Sequence, residues 1–171
     1  MIELARHSKY FKAKPKEYKE WAAWVLYGKQ YNYAQDLPLV TKMIQSHLDI
    51  KLCPPKFREN NLGNPMFGHC YHSTQALYFF FKDANLRAMS APCDVAGSHW
   101  WLVDDNDTII DITDDQYLSV GKTPPYDKGK ETSWYGWRNR THRKTLTLMN
   151  KVQPNSKLVF EKYFNKPVKS Y

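Results

Sequence analysis

Apolar residues in this chain recur with two different periods, and the change between them divides it into helical and strand-forming regions. From about Pro15 to Tyr31, Tyr18, Trp21, Trp24 and Val25 fall three and four residues apart, the spacing of an amphipathic helix. A second helix is expected from Asp36, a plausible N-cap with Pro38 in the first turn, towards Leu48. Cys53-Pro54-Pro55 ends helical structure, and Lys56 to Phe67, with three Asn, one Gly and a Pro, reads as a loop. A third helix is predicted from Cys70 to Lys82, with Leu77, Phe80 and Phe81 in its buried stripe.

Beyond it the pattern becomes that of strands. Ala88 to Val95 is predicted as a strand that Pro92 makes an edge or interrupted one. His99–Val103 and Thr108–Ile112 are β-rich runs, and the acidic tetrapeptide Asp104-Asp105-Asn106-Asp107 between them reads as a hairpin turn. Tyr117 to Arg140 is long, polar and punctuated by Pro and Gly. A helix from Thr141 to Val152 and a short strand, Lys157 to Tyr163, close the chain. This order of elements predicts an α+β fold. With no internal repeat or Gly/Ser linker, one domain over 1–171 is expected: a helical N-terminal region (1–60), a core (61–118), and a basic loop with C-terminal helix and strand (119–171).

Composition narrows the picture a little. The 171 residues, 42% hydrophobic and 15% aromatic, are enough to bury a core. A formal charge of +8, from 25 Lys and Arg against 17 Asp and Glu, favours acidic partners without choosing among nucleic acid, anionic surfaces and acidic proteins. No apolar run approaches the roughly 18–20 residues of a membrane helix, so no membrane partner is expected. Met1 to Glu20 carries charges throughout and lacks a signal-peptide core, so a cytosolic location is expected. There the three cysteines, Cys53, Cys70 and Cys93, odd in number and without C-x-x-C spacing, are expected to be free thiols.

The chemistry gathers around Gly68-His69-Cys70-Tyr71. A glycine two residues before a helix lets the chain turn sharply into it. Cys70 then lies in the first turn, where unpaired N–H groups and the helix dipole favour a thiolate and should lower its pKa below about 8.5. His99 opens the first arm of the hairpin and Asp111 lies near the end of the second, roughly opposite. Asp111 sits among Ile109, Ile110 and Ile112, and a carboxylate in such surroundings demands a partner. Cys70 as nucleophile, His99 as base and Asp111 as orienting acid make a thiol acyl-transfer constellation. No cofactor is called for. His69 and His72 have helical metal-ligand spacing, but Cys70 points elsewhere and no second pair completes four ligands, so no metal is expected.

The run GHCYHSTQALYFFFKDANLRA, followed by SHWWLVDDNDTIIDITDDQY, resembles the core of the transglutaminase-like and papain-like cysteine superfamily. There a G-x-C opens a helix, an H-x-W starts a strand, and the aspartate of a D-x-T lies on the next strand. Cys70, His99 and Asp111 fall on those positions, with Trp101 and Thr113 beside them. More narrowly it is similar to a group of small phage-encoded proteins with G-H-C-Y, H-W and D-x-T-x-x-Q-[FY] motifs. The resemblance covers roughly Gly68 to Val152. It implies a nucleophile helix packed on an antiparallel sheet and a covalent thiol mechanism on an amide or ester, as in a peptidase, amidase, deamidase or crosslinking acyltransferase. It also implies, if the chain is phage-encoded, the host cytoplasm and a host target. It implies no particular substrate.

An acyl-transfer site also needs a second oxyanion donor, and only Asn60, Asn61 and Asn64 stand near by position. His69 is placed at the cleft mouth, and with Trp100, Trp134, Trp137 and Arg138 it makes a candidate substrate wall. The last three belong to Ser133–Lys144, SWYGWRNRTHRK, whose mix of arginine and aromatic residues also suits phosphate contacts and base stacking. A nucleic-acid or host-protein binding module is therefore the alternative reading. Against both stands the plainer one, in which these tryptophans are core and the charges are solvated.

Overall fold

The computed structural model describes residues 31–81, 84–94, 97–132, 137 and 142–153. The predicted Pro15–Tyr31 helix, all but its last residue, and the Lys157–Tyr163 strand lie outside them, as do Trp134, Arg138 and Thr141. Helices and an antiparallel sheet of four strands make the fold α+β.

Helix α1 is Tyr33–Ser46 and begins three residues before the expected Asp36. Asn32 is the cap: its side chain accepts from Gln35 N at 3.2 Å, while Asp36 Oδ2 accepts from Asn32 N at 2.6 Å. Two reciprocal bonds satisfy N-terminal donors that Asp36 alone would leave open. The expected loop over 56–67 also needs correcting. Pro55, with its preset φ, starts a 3₁₀ turn (Pro55–Phe57) that runs into a short helix α2, Arg58–Gly63. Asn61 Nδ2 then ties the following loop by donating to Pro65 O (3.0 Å) and Phe67 O (2.9 Å).

Helix α3, Cys70–Phe80, is buried at every position but Tyr71. A helix buried nearly all round lies at the centre of a fold, and its polar side chains are tied to neighbouring elements, as buried polar groups must be. Thr74 Oγ1 donates to Trp100 O at 3.1 Å. Gln75 Nε2 donates to Trp137 O at 2.7 Å, and its Oε1 accepts from His142 N (3.0 Å) and Thr145 Oγ1 (2.7 Å).

Strands β1 (Arg87–Cys93), β2 (Gly97–Val103), β3 (Ile109–Ile110) and β4 (Lys130–Glu131) form one sheet in the order β3-β2-β1-β4. Strand β1 is therefore internal, although Pro92 predicts an edge or interrupted strand. The discrepancy is resolved by the shortness of β4, which pairs only with Met89 and Ser90 and leaves the Pro92 end without a ladder on that side. The hairpin over 104–107 is present. Asp104 Oδ1 accepts from Asn106 N and Thr108 N at 2.8 and 2.9 Å, and β2 pairs with β3 as Leu102↔Ile110 and Val103↔Ile109.

The polar stretch after Ile112 contains a short helix α4 (Asp115–Leu118) and a 3₁₀ turn (Tyr126–Lys128). Helix α5 is Arg143–Val152, capped by His142, whose Nδ1 accepts from Lys144 N at 3.2 Å. Val40 and Ile44 of α1, Ala76, Leu77, Tyr78, Phe79 and Phe80 of α3, and Leu146, Leu148, Met149 and Val152 of α5 make the main core with Leu102 and Ile110. A smaller cluster joins Ala91, Trp101 and Val103 to Met89 and Tyr126. Among the described residues no helix is long and apolar enough to cross a membrane.

Candidate functional site

The approach to Cys70 is set by Gly68, which holds φ +79 and lies so close to Cys53 Sγ and Phe57 that a β-carbon would collide with both. From this turn α3 begins at Cys70 itself. The thiol points to the neighbouring strand and donates to Ser98 O at 3.6 Å, the residue before His99.

His99 is fully buried on β2 and gripped at both ring nitrogens. Its Nε2 lies 2.5 Å from Asp111 Oδ2, and its Nδ1 lies 3.1 Å from Gln116 Nε2. The ring stacks on Trp101 (centroids 5.8 Å apart, 27° between planes) and meets the edge of Tyr117 at 4.8 Å. Asp111 follows β3 directly. The same Oδ2 accepts from Tyr126 Oη at 3.0 Å, and Oδ1 accepts from Thr113 N (2.9 Å) and Thr113 Oγ1 (3.2 Å). The isoleucine-flanked carboxylate thus has four partners, which is how a buried charge is tolerated.

Structure and sequence diverge at the thiol's acidity. Burial, and after it the negative field of Asp111, push the Cys70 thiol up to about 12, although hydrogen bonding from the Trp100 and Tyr71 backbone works the other way. The helix start is present, but in a dry site loss of solvation outweighs a partial dipole charge. Among the described residues Cys70 and His99 share no hydrogen bond; the thiol rests protonated beside the strand that carries the imidazole. Burial, followed by the nearby Cys93 thiol, also raises the Tyr117 hydroxyl, and burial with Asp111 raises that of Tyr126.

Two residues of the candidate substrate wall, His69 and Trp137, are core side chains, and Trp134 and Arg138 lie outside the described residues. His69 is fully buried, so it does not stand at a cleft mouth; its Nδ1 lies 2.7 Å from His72 Nε2, and burial lowers its pKa to about 4. Trp137 is fully buried as well, packed between Tyr71, Tyr78 and Trp100. It is a core side chain and offers no face for a base to stack on. Trp100 is half-buried, lies parallel to Trp137 at 5.8 Å and donates from Nε1 to Ser98 Oγ at 3.2 Å. None of the three asparagines is an evident oxyanion donor: Asn61 is spent on its own loop, Asn64 Nδ2 donates to Asp115 O and Ser119 Oγ, and Asn60 is exposed.

Three members of the site, Gln116, Tyr117 and Tyr126, carry no role in the sequence reading. Gln116 and Tyr117 stand in the run Asp111-x-Thr113-x-x-Gln116-Tyr117, and the spacing of five from Asp111 to Gln116 is their visible signal. Tyr126 has no such signal; only folding of the segment after Pro124-Pro125 brings it to Asp111. No family model, curated protein or solved structure matches the chain.

Proposed function

We propose that this protein is a thiol-dependent hydrolase or acyltransferase that opens an amide or ester bond through a covalent intermediate on Cys70. The observation that carries the reading is the clamp on His99: a buried imidazole with a carboxylate on Nε2, one residue from the carbonyl that holds a cysteine at the head of the central helix. That helix on an antiparallel sheet is the layout a papain-like or transglutaminase-like fold calls for.

In the proposed cycle the S–H turns from Ser98 O to Nδ1 of His99 and the proton moves onto that nitrogen. Sγ⁻ attacks the carbonyl carbon, and the C=O electrons move to oxygen. When the tetrahedral species collapses, His99 returns the proton to the departing amine or alcohol. Water or a second nucleophile then releases the acyl group by the same steps reversed. Asp111, with its four bonds, keeps the ring oriented and stabilises it while it holds two protons. The acyl donor is a protein or another amide or ester, and a host protein is the target if the chain is phage-encoded. Trp137 as a core residue weighs against the nucleic-acid alternative.

The test is the rate at which each cysteine is alkylated as a function of pH, read by mass spectrometry, in the parent chain and in His99→Ala. Cys70 should react in a phase that the substitution removes, slowing it about 100-fold or more near neutral pH, the scale of a lost general base. A Cys70 profile that His99→Ala leaves unchanged would refute the proposal.

A further inference from the structure

Gln116 touches the imidazole on the side opposite Asp111, and its own surroundings fix which way its amide faces. Its Nε2 lies 3.0 Å from Thr113 O, a backbone carbonyl that can only accept. The atom there must be the amide nitrogen. The same nitrogen lies 3.1 Å from His99 Nδ1, so Nδ1 must present a lone pair, and the ring proton must be on Nε2, directed at Asp111. A carbonyl three residues upstream thereby sets the amide, and the amide sets the tautomer. The alternative orientation would turn Gln116 Oε1 onto Thr113 O, acceptor against acceptor. In the observed one Oε1 is buried without a partner, a cost that the two N–H bonds offset.

We infer that Gln116 is a positioning residue that holds His99 as the Nε2–H tautomer and occupies the basic lone pair on Nδ1 until the thiol proton takes its place. The inference rests on the proposed thiol chemistry for its use, but not for its geometry. When the proton of Cys70 moves onto Nδ1, the Gln116 N–H loses that acceptor and keeps Thr113 O. Formation of the thiolate–imidazolium pair is thus coupled to release of one amide hydrogen bond. The other titratable groups around the ring are Asp111 and Asp114, Tyr117 on α4, Tyr126, Cys70 on α3 and Cys93 on β1. Asp111 takes Nε2, and Gln116 is the neutral group at Nδ1 that makes the two nitrogens unequal.

The experiment is ¹⁵N NMR of the histidine rings in the full chain at neutral pH, for the parent and for Gln116→Glu, with His99 assigned by its loss in His99→Ala. The parent should show Nδ1 unprotonated and Nε2 protonated. Gln116→Glu, nearly isosteric but an acceptor, should protonate both nitrogens and slow Cys70 alkylation about 100-fold or more, since no lone pair is left to take the proton. Gln116→Met, which removes the donor and adds no acceptor, should weaken the preference for the Nε2–H tautomer in the spectrum and slow Cys70 alkylation far less than Gln116→Glu does, because the Nδ1 lone pair stays open, whereas a merely structural role would make the two variants fail alike. A parent ring protonated on Nδ1 overturns the inference, and the parent spectrum needs no variant to fold. The expected tautomer together with a Cys70 indifferent to His99→Ala would leave Gln116 in its role and remove the thiol enzyme instead.

Discussion

A β-carbon at position 68 would come within 2.8 Å of Cys53 Sγ and 3.0 Å of Phe57 Cβ, on a backbone at φ +79. Left-handed backbone costs a non-glycine residue roughly 1–2 kcal/mol, and an overpacked contact about 1–3 more. Gly68→Ala should therefore lower stability by about 2 kcal/mol or more, seen as a fall in the urea midpoint. It should also displace Cys70, which begins its helix two residues later. The histidines nearby make a second demand. His69 and His72 are buried neutral, held against protonation chiefly by loss of solvation, to about 4 for His69 and well below the usual value for His72. Their folded pKa lies below the unfolded value of about 6.5, so the unfolded chain binds more protons below that pH. Their contribution is present in full above about pH 6.5 and is lost as pH falls from there towards 4. Stabilities from urea unfolding at pH 7 and pH 5 should differ by an amount on the order of 2 kcal/mol or more, and His72→Gln should flatten the slope. An equal midpoint at both values would contradict it.

At the scale of elements, one side chain joins the central helix α3 to α5. Gln75 of α3 meets the backbone of Trp137 and the N-terminal end of α5 through His142 and Thr145, all three bonds at 3.0 Å or less. Replacing it with Leu keeps the volume and strands buried polar groups, each at about 1–3 kcal/mol. Gln75→Leu should lower stability by about 2–5 kcal/mol, and amide exchange should accelerate first in α5. Uniform acceleration over the whole fold would show that α5 does not open separately. The β2–β3 hairpin shows how much element structure is local. Asp104 takes two backbone N–H groups of its own turn, and the same side chain receives Tyr33 Oη of α1 at 3.1 Å. Periodicity and turn chemistry are enough to find α3, β2 and this hairpin, because their signals lie within a few residues. The start of α1 and the existence of α2 escape such reading for a complementary reason. Each depends on which of several possible caps closes its bonds, and Asn32 and Pro55 win over the more conspicuous Asp36 and the Asn-rich run.

Across the whole molecule, the positions of Cys70, His99 and Asp111 are legible in residue type and order. A glycine before a helix, a histidine at a strand head and an aspartate among isoleucines are each local oddities. That order also makes α+β legible, and it marks Gly68 as the turn. What surrounds those three residues required the tertiary structure. Tyr126 reaches Asp111 from 15 residues away, and no periodicity encodes such a meeting. Burial is likewise a property of the assembled fold: it turned an expected acidic thiol into one held protonated, took His69 out of the expected cleft mouth and made Trp137 core. Local sequence specifies which groups can do chemistry, because that depends on side-chain type and backbone neighbours. Which lone pair is free, which charge is paired and which thiol is dry are settled by distant segments brought within hydrogen-bonding distance, and short-range patterns carry no record of that.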